Sequence, residues 1–273
     1  LKKREEKQIN EETKEWLERY LQIEKMTGIQ RSFEMPEGFP KRISSFEEIE
    51  EAAEELRTAW DLGMDPIENL TTLLEDKGIK IGIIKGITQF DALSTEYQGN
   101  PIIVVKDDLP RARQRFSLMH EVGHCLLEVD DGLDEEKVMN RFAGAFLVPA
   151  RRVFFELDRK RHRLSAKELL LFKEKYGLSM GAWIYRIKDL QIINEEEFVA
   201  IRKFLSKHGW NKKEPGDEVK GEKPIFMNVV VLKAHAEGII STSKAAELLN
   251  QSIQTFCSLD GDSDFEHSAL LCS

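Results

Sequence analysis

Along most of this chain apolar residues recur at three- and four-residue spacing, the signature of amphipathic helices. Ile9, Trp16, Leu17, Tyr20, Leu21 and Ile23 mark a charged, helix-forming segment that ends at the Met35-Pro36-Glu37-Gly38-Phe39-Pro40 break. Ser45 with Glu48 predicts a capping box for a helix whose inner face is Ile49, Ala52, Ala53, Leu56, Ala59 and Trp60. Pro66 is expected to open a further helix through Leu70, Leu73 and Leu74, stopped at Gly78. Ile79–Ile84, Phe90–Ser94 and Ile102–Val105 then read as strands, with Gln98-Gly99-Asn100-Pro101 as a turn, which predicts a small, mainly antiparallel sheet.

Asp107 and Asp108 before Pro110 predict a helix start of N-cap acid and first-turn proline. Phe116, Met119, Gly123, Leu126 and Leu127 give that helix one buried face. An acidic loop over residues 128–134 leads to a second helix over 135–149, with Met139, Phe142, Ala143, Phe146 and Leu147 inward. Residues 165–176 and 180–190 form a helical pair around Gly177, followed by a helix at 195–208 and a Pro/Gly/Lys-rich linker at 211–224. Three short helices are expected at 228–237, 242–249 and 252–259. The fold class is therefore α+β and mainly helical, with a small antiparallel sheet packed on the central helix and a C-terminal helical region. The expected segments are a connector (1–45), a core (46–150), a helical extension (151–210), a C-terminal helical module (224–260) and a flexible tail (261–273).

The central helix carries His120-Glu121-Val122-Gly123-His124, an H-E-x-x-H pattern. Histidines four apart project side by side, close enough for both imidazoles to reach one metal ion. Glu121, about 100° round the helix, can touch a metal-bound water without being a ligand. Two histidines need a third ligand, and the following segment offers Glu128, Asp130, Asp131, Asp134, Glu135 and Glu136. Glu128 lies two turns beyond His120, and a flexible loop is a poor way to fix tetrahedral geometry. Periodicity does not separate Glu135 from Glu136. Asn140, one turn after Glu136, favours the latter, because it can hydrogen-bond to a ligand there. Tyr97, His162 and Tyr185 are candidate oxyanion stabilisers. The sheet edge before the helix is a candidate hold for an extended substrate backbone.

At 273 residues, 41% apolar and 33% charged, the chain has the balance of a globular protein with a real core. No run approaches the roughly 20 apolar residues of a membrane span. Cys125, Cys257 and Cys272 are too few and scattered for a disulfide framework, so a reducing cytoplasm is expected. Cys125 points about 100° away from His124 and reads as a small buried residue. A net charge of −9 argues against broad nonspecific nucleic-acid binding. The chain opens on Leu1, and further sequence upstream is expected. The run Gly238–Asn250 is reminiscent of a helix-turn-helix, but with few basic residues it is expected to pack or recognise a partner rather than bind DNA.

R-x-R-F-x-x-x-H-E-x-G-H followed by E-x-x-x-N-x-F-A-x-x-F-L-x-P, over Arg113–Pro149, resembles the ImmA/IrrE zinc metallopeptidases; a looser likeness runs from Ile49 to Asn250. The resemblance implies a minimal gluzincin-like core, Zn2+ as cofactor, His120, His124 and Glu136 as ligands, and Glu121 as catalytic base. It places the carboxylate ligand four residues before Asn140. It also implies cleavage of a DNA-binding, helix-turn-helix repressor, relieving repression in prophage, mobile-element or stress responses. Met139 departs from the usual alanine before the asparagine, a buried change. The competing expectations are a non-proteolytic metal-binding regulator and an antitoxin-type binding protein. An intact Glu121 weighs against the first, since a purely structural site has no use for it.

Overall fold

The structure is a computed structural model that describes residues 3–87, 90–161, 164–216 and 219–258. They fall into two compact units, residues 32–223 and residues 3–31 with 224–258. Helix α1 (Lys3–Thr27) opens the chain and belongs to the smaller unit.

The larger unit begins with β1 (Lys41–Ile43) and α2 (Glu48–Ala59). Ile49, Ala52, Ala53 and Leu56 are buried on α2, the face that periodicity predicts. Its start differs from the expected Ser45 cap. The Glu48 carboxylate accepts from the Ser44 N–H at 2.8 Å and from the Ser44 hydroxyl at 2.9 Å, and the cap position is Glu47. Helix α3 (Leu70–Asp76) starts four residues after Pro66, because Asn69 caps it by accepting from the Thr72 N–H. The Asp65 and Ile67 carbonyls are meanwhile taken by Arg57 and Arg115, each at 2.7 Å, so this stretch serves as an arginine-binding loop rather than a first turn.

Strands β2 (Lys80–Ile84), β3 (Ala92–Tyr97) and β4 (Asn100–Lys106) form a sheet in the order β2-β4-β3. The expected antiparallel sheet is thus mixed: β3 pairs antiparallel with β4, but β2 pairs parallel with it. Sequence neighbours β2 and β3 are not spatial neighbours, because β4 inserts between them. Its Ile102–Val105 run, buried throughout, is what a central strand covered on both faces requires. The hairpin turn is only Gln98-Gly99, both with positive φ (51° and 78°), a primed turn that suits twisted strands.

Helix α4 (Arg111–Leu126) follows, then β5 (Leu127–Val129), which pairs parallel with β1 as a second, two-stranded sheet that periodicity does not reveal. Helices α5 (Glu135–Leu147), α6 (Ala150–Leu157), α7 (Ala166–Tyr176), α8 (Met180–Asp189) and α9 (Glu195–Lys207) complete the helical layer. A capping box of Ser165 and Glu168 opens α7, and Gly177, at φ 62°, ends it. Arg186 of α8 forks onto Glu50 of α2 with two 2.5 Å bonds, and Arg141 of α5 adds a third contact at 3.3 Å.

Part of the expected linker at 211–224 is anchored. Glu222, nearly buried, accepts from the Thr71 N–H, Arg111 and Arg115, and its backbone exchanges two hydrogen bonds with the Gln114 side chain at 2.6 and 2.7 Å. Polar residues at the start of α4 find their partners here, which local patterning cannot show.

In the smaller unit, α10 (Phe226–Ala236), α11 (Thr242–Leu248) and α12 (Ile253–Cys257) follow. Tyr20 and Ile23 of α1 share a core with Phe226, Val230, Val231, Ala245, Leu248 and Phe256. The N-terminal segment therefore packs with the C-terminal helices as one discontinuous unit. Among the described residues no helix is long and apolar enough to cross a membrane.

Candidate metal centre

Helix α4 is fixed at its start by the Glu222 contacts and by the Arg111 N–H, which donates to the Val219 carbonyl at 2.9 Å. Pro110 sits at the cap position and not in the first turn; Asp108 has left-handed backbone, φ 61°, and no side chain caps the helix. Burial extends round more of α4 than the expected face: Gln114, Arg115, Leu118 and Val122 join Met119, Gly123 and Leu126. Leu127 is already in β5, and Phe116 is half-buried.

The decisive approach is that of α5. A Cβ on Gly123 would stand 2.7 Å from Met139 Sδ and 3.2 Å from Phe142 Cδ1. Only a residue without a side chain lets the helices come so close. Asp134 caps α5 by accepting from the Lys137 N–H, and the acidic first turn then lies against the two histidines.

There, His120 Nε2 and His124 Nε2 are 3.2 Å apart. Glu136 Oε2 is 3.4 Å from the first, and Glu136 Oε1 is 3.7 Å from the second. Ligand atoms held about 2.1 Å from one tetrahedral ion would be roughly 3.4 Å apart. Two imidazoles and a carboxylate at these separations fit a divalent metal, and the three residues form a cluster of ligand atoms all within 4.8 Å. The outer ring nitrogens have partners of their own: His120 Nδ1 lies 3.2 Å from Asn140 Oδ1, and His124 Nδ1 lies 3.2 Å from Glu135 Oε1. Each Nδ1–H can donate outward, which leaves both Nε2 lone pairs for the centre.

Glu121 sits beside this cluster in an open cleft of about 240 Å³ lined by Asp91, Ala92, Phe116, Ser117, His120, Glu121 and Asn140. Its carboxylate accepts a 2.6 Å hydrogen bond from Ser94 of β3. Cys125 is partly buried, and burial pushes its thiol up to about 11.

His120, His124, Glu136, Asn140 and Glu121 therefore converge. The other carboxylates are spent elsewhere or face solvent: Asp130 pairs with Arg42 at 2.5 Å, Asp134 caps α5, and Glu128 and Asp131 are exposed. Of the oxyanion candidates, Tyr97 and Tyr185 do not line the cleft, and the Tyr185 hydroxyl accepts from Arg202 at 2.8 Å. His162 lies outside the described residues. Ser94 and the outer role of Glu135 were not legible in the sequence; an acid eleven residues from His124 signals nothing until α5 is docked.

Residues 74–188, from the middle of α3 to the end of α8, match the family model Peptidase_M78, the IrrE N-terminal-like domain. This segment is similar to the IrrE N-terminal-like peptidase domain. The match contains the three-stranded sheet, α4 and α5, so the IrrE-like domain includes every residue of the cluster and of the cleft. A search of curated proteins gave no match.

Proposed function

We propose that the chain is a zinc-dependent endopeptidase whose substrate is a DNA-binding repressor, cut once in an exposed linker. The observation that carries this reading is the tetrahedral spacing of His120, His124 and Glu136, with Glu121 lining an open cleft beside His120. Zinc bound there would supply Lewis acidity to the scissile carbonyl and to the attacking water. Asn140 and Glu135 orient the two imidazoles through Nδ1. Glu121, which lines the cleft beside His120 on α4, takes the water's proton and returns it to the leaving amine. Strand β3, at the sheet edge along this cleft, offers backbone groups to an extended substrate segment. The repressor as substrate is supported by the sequence resemblance over Arg113–Pro149.

The test is to incubate the purified chain and its Glu121→Gln variant with candidate DNA-binding repressors and follow products by mass spectrometry. The parent should make a single cut. The variant should keep its metal and lose cleavage, because an amide accepts a hydrogen bond but is no base. Near-parental cleavage by the variant removes Glu121 from its role, and efficient digestion of casein would refute the restricted substrate.

A further inference from the structure

The Glu121 carboxylate is met from outside its own helix. Ser94 is the third residue of β3 and pairs with Ile103 of β4, which is fully buried, so the position of Ser94 is set by the sheet and not by α4. Ala92, two residues earlier and hence on the same side of the strand, lines the cleft beside His120 and Glu121. From that platform Ser94 Oγ donates to Glu121 Oε2 at 2.6 Å, across 27 residues of sequence.

At 2.6 Å the contact lies at the short end of hydroxyl-to-oxygen hydrogen bonds, with the serine hydroxyl as donor. A glutamate side chain turns about three bonds, and a hydrogen bond from a neighbouring strand restricts the rotamers it can take. We propose that Ser94 is a positioning residue: by holding one oxygen of Glu121 it fixes the carboxylate and leaves the other oxygen for proton transfer. This rests on the peptidase reading above. Ser94 also lies within hydrogen-bonding reach of Cys125, whose thiol can donate to the serine oxygen and leave the hydroxyl proton for Glu121. The residues after it on the same strand, Glu96 and Tyr97, are simply exposed.

The experiment needs no substrate. Co2+ serves as a visible probe of the metal centre. Acetohydroxamic acid serves as a ligand that chelates the ion and hydrogen-bonds to the neighbouring carboxylate. Parent, Ser94→Ala, Ser94→Thr and Glu121→Gln are compared for Co2+ affinity and then, when loaded, for hydroxamate affinity. Ser94→Ala removes a hydroxyl from a half-exposed edge strand and leaves the backbone pairing with β4 intact. All variants should bind Co2+ within about twofold of the parent, and both Glu121→Gln and Ser94→Ala should weaken hydroxamate by about tenfold, the worth of one hydrogen bond to a charged group. Ser94→Thr, which keeps the hydroxyl, should restore it. Parental hydroxamate binding by Ser94→Ala, with Glu121→Gln weakened, overturns the role of Ser94 alone. Loss of Co2+ by Ser94→Ala also overturns it, by showing a structural part. Parental binding by Glu121→Gln overturns the assignment of Glu121 and, with it, this proposal.

Discussion

Replacing Gly123 by alanine should loosen the metal centre from behind. The new methyl would sit 2.7 Å from Met139 Sδ and 3.2 Å from Phe142 Cδ1, where ordinary contact begins at 3.4 Å. The overlap with the sulfur is therefore about 0.7 Å, and overpacking of this kind costs about 1–3 kcal/mol. Alanine's higher helix propensity offsets about 1 kcal/mol of that. The net loss of about 0–2 kcal/mol is too small for one midpoint to decide, so the test is a double-mutant cycle. Met139→Ala alone should cost about 2–5 kcal/mol through the cavity it leaves. In the double variant the new methyl enters that cavity, so the two changes should couple favourably by about 1 kcal/mol or more. Urea unfolding of metal-free protein, read at constant slope, supplies the four values. A second readout is metal affinity. Glu136 lies one turn before Met139, so an outward shift of α5 lengthens its 3.4 and 3.7 Å separations from the histidines. Gly123→Ala should weaken Co2+ binding by about tenfold, or about 1.4 kcal/mol. Additive stabilities together with parental metal affinity would refute the idea that bare backbone at 123 sets the seating of α5.

Two further outcomes are expected. Glu136→Ala should lose metal at a chelator concentration the parent survives. Glu135→Ala, which removes only a partner of His124 Nδ1, should weaken binding by about tenfold; chelator competition giving the reverse order would exchange the two roles. Glu50 supplies a pH dependence. Burial alone would raise its carboxyl, but the Arg186 fork and Arg141 outweigh burial and hold it below the usual range. Its stabilisation is thus complete at neutral pH and disappears as acid carries the group through its lowered folded value. Urea midpoints from pH 5 to 3 should fall more steeply for the parent than for Glu50→Gln, and parallel slopes would show that this ion pair does not govern acid sensitivity.

What could be read from the sequence follows from how local each cause is. His120, Glu121 and His124 share a single helix, so their spacing carries their geometry. Met139, Phe142, Ala143, Phe146 and Leu147 are all buried on α5, as periodicity requires. Choosing Glu136 over Glu135 already needed a second clue, Asn140, which the structure sets against His120 Nδ1. Ser94 was out of reach because its contact depends on β4 inserting between β2 and β3, which no residue of β3 announces. Glu222 is further still: it meets Gln114 across 108 residues, and a Pro/Gly/Lys-rich stretch gives no sign of a buried acid. The parallel pairing of β1 with β5 is hidden for the same reason, since each strand is only three residues long.

The split make-up of the smaller unit sets a timetable for synthesis. Helix α1 is translated about 200 residues before α10. At about 5–20 residues per second that interval is roughly 10–40 s. Throughout it Tyr20 and Ile23 have none of the partners from α10, α11 and α12 that later cover them. The larger unit also waits on late sequence, because Glu222, which holds the start of α4, is translated only four residues before α10. Until α10, α11 and α12 emerge, the apolar face of α1 that carries Tyr20 and Ile23 is exposed on the nascent chain.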